Sequence, residues 1–473
     1  MWMINIEYGN VTCRISGCSD TLLDALEERL SYELGGFGHK NERKLLFKRS
    51  TGVTYTGLIP HAIQVIRRHG EQVNLVDKRV EPEQNADFKL SDAVTPYAHQ
   101  QNVFDHRQSR MIVQMATGAG KTLVLAGMIA LFNVKPVVVM SPKATLAYQL
   151  QDELSKFLGI HVGVLTGDVK DICDVTVATP QTALGHPTLL PEAKAFLVDE
   201  CQFLGSRTLF KTARLARNAF YRCAVSATPW RDGDDDLLIE AAVNVRNPRS
   251  NVNASTLIKL GRLTACTIFY LEQPSPCGWQ GDYAATYDAV IANNSARNTR
   301  VVDVVEANLK SNRGSVLVLF TKVDHGERLR RMIVDRVKPR TVDFVFEGEV
   351  HQVCEVELID GCTPMDRRAV ILQAVRERVV TTLLGSTIAD EGLDCPALKV
   401  LVLAGAGKSS TRAFQRVGRV LRLFKGYDHA YVYDFMDQNQ TFFNQFLYRD
   451  ALYNTEPEWA KSIVRLKPGE LGL

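Results

Sequence analysis

Two short stretches carry the residues best suited to phosphate chemistry. The chain reads ATGAGKTL at 116–123 and LAGAGKSS at 403–410. Each sets a GAGK and a hydroxyl residue between an apolar run and a helix-like segment. Such a turn aims backbone N–H groups and the positive end of a helix at an anion. In the first stretch Gly118 and Gly120 let the backbone approach phosphate oxygens with no Cβ in the way. Lys121 can reach the outer phosphates and the Thr122 hydroxyl can ligand Mg²⁺, with Thr117 and Ala119 completing the loop. The broad phosphate-loop pattern asks for a further glycine where Met115 stands, so the loop needs a partner to identify it. AFLVDECQ at 195–202 supplies one. It is an apolar strand ending in Asp199 and Glu200, one carboxylate to hold a divalent cation and one to polarise an attacking water.

The second stretch has Val402 at the leading-glycine position and no DE pair after it. It runs into SSTRAFQRVGRVLRLF, where Arg412, Arg416, Arg419 and Arg422 fall at helical spacing on one broad face. An arginine row on a helix is ordinarily a solvated surface. Following a buried strand, it also suits neutralising charge on a transferring γ-phosphate. One nucleotide site is expected, not two.

These residues need strands to carry them. From residue 111, short β-branched runs alternate with amphipathic stretches, the pattern of parallel α/β units. MIVQM, PVVVM, VTVAT, AFLVDE and RCAVSAT form a first series; SVLVLFT, CEVELID, VVTTLLGST, KVLVLAG and HAYVYDF form a second. Between the series, 229–265 reads as loops and a connector. The expected organisation is an N-terminal accessory domain (1–90), a first domain (91–250) and a second (251–473) with a β-rich insertion at 338–358. In the N-terminal part TLLDALEERLSYEL reads as a helix. HKNERKLLFKR at 39–49 sets five basic residues against one acidic, interleaved with Phe37, Phe47 and Tyr55. Lys44, Lys48 and Arg49 there could grip a nucleic-acid backbone, or could line a solvated hairpin edge.

The bulk properties exclude other classes. With 473 residues, 45% hydrophobic and 23% charged, the chain is an ordinary globular protein of more than one domain. A net charge of +3 permits a polyanionic partner without requiring one. Ten cysteines with no CxxC pair give neither zinc-ligand spacing nor a disulfide framework. The start has no signal-peptide pattern and no run is long enough to span a bilayer, so a cytoplasmic protein with no membrane partner is expected.

Taken in order, ATGAGKT (116–122), SPKATLAYQ (141–149), VATPQT (177–182), DECQ (199–202), SATPWR (226–231), VLVLFT (316–321), STIADEGLDCP (386–396) and QRVGRVLR (415–422) resemble the motifs of superfamily 2 helicases. SATPWR followed by RDGDDD, the LIKLGRL segment and the QRxGRxxR ending look most like the XPB, RecG and phage UvsW-like DNA branch. The resemblance implies an α/β fold of two tandem RecA-like parallel-sheet domains, beside a small N-terminal α+β domain, with ATP and Mg²⁺ bound in the cleft between the two. It implies Lys121 and Thr122 on phosphate and metal, Asp199 on the metal and Glu200 as catalytic base. Arg419 and Arg422 would act as the finger pair. Gln415 and Asp394 match nucleotide-sensing positions, and Gln100 matches the adenine-side glutamine, a place Gln101 could also hold. Ser226 and Thr228 match the motif coupling hydrolysis to strand movement; Pro142, Thr179, Thr387 and Thr321 fall in motifs that track the strand backbone. Gln202 departs from the commoner His or Asp, and a glutamine there can bridge to second-domain motifs by hydrogen bonds. The implied function is an ATP-driven DNA motor, expected as a monomer, that remodels branched or forked DNA alongside replication or recombination proteins. The alternatives are an RNA helicase on the same scaffold and a nucleotide-gated DNA clamp.

Overall fold

Strands whose side chains are apolar on both faces must be covered on both faces, and the two large sheets are built that way. The computed structural model describes residues 3–33, 43–230, 236–244, 246–274, 282–386, 395–405 and 410–472, with backbone alone at 246–250 and 410–414. The chain forms two units, Met1–Val252 and Asn253–Leu473.

The first unit holds β7 (Arg110–Met115), β8 (Val137–Met140), β9 (Gly163–Leu165), β10 (Val175–Ala178), β11 (Ala195–Asp199), β12 (Tyr221–Ser226) and β13 (Arg246–Val252). They make one all-parallel sheet in the order β13-β7-β12-β11-β8-β10-β9. The helix Lys121–Phe132 is apolar around most of its circumference and largely buried. Its Gly127 admits the Phe104 ring, which a Cβ would meet at 2.2 Å. The connector contains more order than its sequence indicates. β13 reads as turn residues, including Pro248, yet it pairs with the open edge of β7, the kind of edge position where a proline is tolerated.

The N-terminal region consists of β1 (Met3–Tyr8), β2 (Thr12–Ser16), β3 (Ser31–Glu33), β4 (Arg43–Leu45), β5 (Val53–Tyr55) and β6 (Gln72–Asp77), with helices Asp20–Arg29 and Ile59–Arg68. Its four-stranded sheet runs β5-β2-β1-β6. This α+β layer shares one apolar core with the large sheet: Ile4, Ile6, Leu26, Phe47 and Ile66 join Ile112, Phe196, Phe210 and Ile239. Polar joints reinforce the seam. Arg110 donates to the Asn10 carbonyl at 2.7 Å, and His61 Nε2 meets Glu240 Oε2. The helix expected over TLLDALEERLSYEL ends at Arg29, and the following SYE pairs with β4. Arg43 stabilises that exit by donating to the Glu28 carbonyl and to Ser31 Oγ.

The second unit holds β14 (Ala265–Gln273), β15 (Ser315–Leu319), β16 (Thr341–Phe346), β17 (Glu349–Cys354), β18 (Val356–Ile359), β19 (Thr382–Gly385), β20 (Leu398–Leu403), β21 (His429–Asp437) and β22 (Ile463–Leu466). Seven make a second all-parallel sheet, β18-β19-β15-β20-β21-β14-β22. β16 and β17 form a separate antiparallel ribbon that packs on the helix Met365–Arg376. Both large sheets thus have RecA-like parallel architecture. Among the described residues no helix is long and apolar enough to cross a membrane.

Candidate nucleotide site and its coupling chain

In a parallel sheet every loop that follows a strand opens at the same edge, and that edge is where open α/β folds bind ligands. The ATGAGKT loop follows β7, Asp199 and Glu200 end β11, and Ser226 ends β12, the strand lying between those two. Topology therefore gathers the phosphate loop, the acid pair and the SAT motif before any side chain is considered.

Backbone geometry explains the loop's glycines. Gly118 and Gly120 have φ of +85° and +78°, where L residues are strained. A Cβ on Gly120 would stand 2.3 Å from Gln100 Nε2. The loop is held from both sides: Ala116 N–H donates to the Val252 carbonyl at 2.8 Å, and Gln100 Nε2 donates to the Ala119 carbonyl at 3.0 Å. Gln100 is buried and its Oε1 accepts from Tyr97 N–H, whereas Gln101 points away and donates to Asp105. Of the two glutamines, Gln100 is the one against the loop. His99 adds a contact that sequence reading missed, its Nε2 lying 3.1 Å from the Ala119 carbonyl.

Lys121 opens the helix that follows and pairs with Glu200, Nζ to Oε1 at 2.6 Å. Glu200 sits in the left-handed region at φ +51°, a strained conformation for a residue with a side chain. Burial, and then the like charge of Glu200, push the Asp199 carboxyl up to about 7 against the pull of Lys121. Burial works to lower the Lys121 ammonium, but Glu200 and Asp199 outweigh it and raise its pKa. Two adjacent carboxylates facing one ammonium leave an excess of negative charge at a poorly solvated point. A divalent cation would relieve that excess, so the acid pair fits Mg²⁺.

From Glu200 a hydrogen-bond chain runs inward. Gln202 Nε2 donates to Glu200 Oε2 at 3.0 Å, Ser226 Oγ donates to Gln202 Oε1 at 2.6 Å, and Thr228 N–H donates to Ser226 Oγ at 2.9 Å. Gln202 thus bridges Glu200 and Ser226 within its own unit. Thr228 Oγ1 is buried and makes no hydrogen bond among the described residues, a condition that costs about 1–3 kcal/mol.

The remaining positions divide. Pro142 follows β8 and is half-buried. Thr179 follows β10, is buried, and shares a hydrogen bond with Thr182 at 3.0 Å. Thr321 is exposed beyond β15, and its Oγ1 would lie 2.6 Å from a Cβ on Gly405. Asp394, Thr387 and 406–409, which include the second GAGK lysine, lie outside the described residues, as does the Arg412 side chain. Gln415 and Arg419 are half-buried on the helix Ser410–Val420. That helix stops before Arg422, which the sequence periodicity had placed on the same face; Arg422 instead bridges Leu263.

A buried lysine that sequence reading passed over caps the end of that helix. Lys399, fully buried at the start of β20, donates Nζ to Thr264 Oγ1 at 3.0 Å, to the Val420 carbonyl at 3.4 Å and to the Arg422 carbonyl. It neutralises the negative end of the helix that carries Arg419. The only sequence signal is a lone lysine opening an otherwise apolar strand.

The basic segment near the N-terminus is partly built into the core of its layer. Phe47 is 2% exposed in the core, and Tyr55 stacks edge-on against Phe210 at 5.2 Å. Arg49 pairs with Asp20 at 3.1 Å and with Asp24. Phe37 lies outside the described residues. Lys44 is half-buried in β4 and Lys48 is exposed. Phe47 and Tyr55 serve the core, because burying them stabilises a small layer more than a solvent-facing platform would.

Residues 58–231 match the family profile "Type III restriction enzyme, res subunit", and 299–424 match "Helicase conserved C-terminal domain". The "Putative DNA 3'-5' helicase Rad25" of Haloarcula marismortui is 26% identical over 323 residues, covering 64% of this chain and 46% of that protein. The "DNA 3'-5' translocase XPB2" of Sulfurisphaera tokodaii is 22% identical over 334 residues, covering 67% and 75%. The chain therefore spans less than half the length of the first of these. In fold it is similar to the ATP-dependent Type ISP restriction-modification enzyme LlaBIII bound to DNA, with a TM-score of 0.57 at 13% identity over 87% of this chain and 34% of that one.

Proposed function

We propose that this chain, which belongs to the superfamily 2 helicases in the branch of the XPB and Rad25 proteins, is an ATP-driven translocase that remodels branched or forked DNA. The observation that carries the reading is the unbroken path Lys121–Glu200–Gln202–Ser226–Thr228. It links the phosphate-loop lysine to the SAT motif through the residue placed to act as base.

The path gives Glu200 two separate holds. Lys121 occupies Oε1 and Gln202 occupies Oε2. With ATP bound, Lys121 would turn to the outer phosphates, and Glu200 would orient a water and take its proton while Gln202 keeps the carboxylate aimed. Mg²⁺, when bound, supplies charge neutralisation at the phosphates. Arg419 and Arg422 are assigned to charge developing on the γ-phosphate, and Gln415 and Asp394 to sensing the nucleotide. The tension stored at Glu200 and the unpartnered Thr228 hydroxyl support SAT rearrangement during the cycle. Pro142, Thr179, Thr387 and Thr321 are assigned to the DNA backbone, and the N-terminal layer, with Lys44 and Lys48, to choosing the fork or junction. The relatives' printed names give a 3′-to-5′ direction.

Gln202→Ala cuts the path between base and SAT motif. Losing one buried hydrogen-bonded link, worth about 1–3 kcal/mol, should lower DNA-stimulated hydrolysis roughly 10-fold or more. Basal hydrolysis should fall less. Steady-state kcat with and without DNA measures this, and equal loss in both would remove the coupling role. The whole reading is tested by ATPase stimulation with single-stranded DNA, forked DNA and single-stranded RNA. DNA should stimulate, forked DNA most, with strong loss of binding as salt rises. Stimulation by RNA alone overturns it.

A further inference from the structure

Away from the nucleotide site, the far edge of the first large sheet brings together three side chains of mixed donor type. His161 stands two residues ahead of β9, and Cys173 two residues ahead of β10, the parallel strand hydrogen-bonded to it. Residues entering the same end of adjacent parallel strands are neighbours by topology, and Asp171 lies on the same approach. His161 Nε2 is 2.8 Å from Asp171 Oδ2, and Cys173 Sγ is 3.5 Å from Asp171 Oδ1. All three ligand atoms fall within 4.8 Å of one another.

The backbone holds them there. Asp171 N–H donates to the Val164 carbonyl at 3.0 Å, and Leu165 bridges Lys170. Cys173 N–H donates to Thr176 Oγ1, which in turn donates to the Cys173 carbonyl, both at 3.0 Å. Gly163 lets the loop lie flat on the strand, since a Cβ there would meet the Asp171 carbonyl oxygen at 2.6 Å.

We propose that His161, Asp171 and Cys173 form a zinc site that clips the 166–174 loop to the edge strand of the first sheet. Tetrahedral zinc with one nitrogen, one oxygen and one sulfur ligand holds its donor atoms roughly 3.2–3.7 Å apart. The three ligand atoms lie within 4.8 Å of one another, so small side-chain adjustments bring them to that spacing. The donor set is borderline in softness, which suits zinc; Mg²⁺ and Ca²⁺ take oxygen ligands throughout. Water takes the fourth position on the open side, where His161 is exposed. Binding deprotonates the Cys173 thiol, releases that proton to solvent, and replaces the Asp171 hydrogen bonds with metal bonds. No CxxC or CxxH spacing announces the site, because its members converge through strand pairing.

Cobalt titration of the full-length metal-free protein tests it. One equivalent of Co²⁺ should produce a thiolate-to-cobalt charge-transfer band that Zn²⁺ abolishes. The band should vanish in Cys173→Ser and persist in Cys362→Ser, whose cysteine is also accessible. Asp171→Asn, which keeps the thiol and the local shape, should weaken cobalt affinity at least about 10-fold. Zinc should raise the melting temperature of the wild type and leave that of Cys173→Ser unchanged. The absence of a band at stoichiometric cobalt, or a band surviving Cys173→Ser, overturns the site.

Discussion

Lys121→Ala reduces ATP hydrolysis by at least about 100-fold, the loss expected when a preorganised charge at the transferring phosphate is removed. The geometry adds a second cost. Without the ammonium, Glu200 loses the Lys121 ion pair and Asp199 a charge that pulls its pKa down, so Mg²⁺-nucleotide loses one anchor and the acid pair loses its organiser. Lys408→Ala, in the similar LAGAGKSS stretch, largely spares hydrolysis, because that stretch has no acid pair after it. Steady-state ATPase assays on both proteins, with melting curves to confirm that each is folded, decide the matter. Equal loss in the two would mean that the second GAGK also cradles phosphate.

Glu200→Gln is expected to separate binding from chemistry. The amide keeps the size of the carboxylate and can still accept from Gln202, so the route to Ser226 survives. It cannot take a proton from water. Hydrolysis should therefore fall by about 10²–10⁴-fold while ATP affinity stays near that of the wild type. A protein that loses ATP affinity in proportion to rate would show that Glu200 serves the binding geometry more than the chemistry.

How much of this could be read from residues alone varies from element to element. The strands carrying the site were visible because they are buried on both faces and so read as continuous apolar runs. β13 and β22 were not, since edge strands need only one partner and tolerate turn-like residues such as Pro248. The pairing of Lys121 with Glu200 was legible because a phosphate loop and a strand-end acid pair open at the same edge of a parallel sheet. The route beyond them was not, because Gln202 reaches Ser226 across 24 residues through the pairing of β11 with β12. Phe47 stayed ambiguous for a related reason: aromatics beside lysines fit a nucleic-acid platform and a core edge equally well, and only burial decides. Lys399 was silent because a buried lysine with carbonyl partners leaves no carboxylate signal in the sequence.

The central claim is that hydrolysis at this site drives movement on DNA. Its most direct measurement is conversion of a labelled four-way junction to duplex products by the wild type and by Glu200→Gln, each with ATP at saturating protein. The wild type should convert the junction while Glu200→Gln binds it with similar affinity and leaves it unconverted. Conversion by Glu200→Gln at the wild-type rate would contradict the claim and leave a nucleotide-gated clamp in its place.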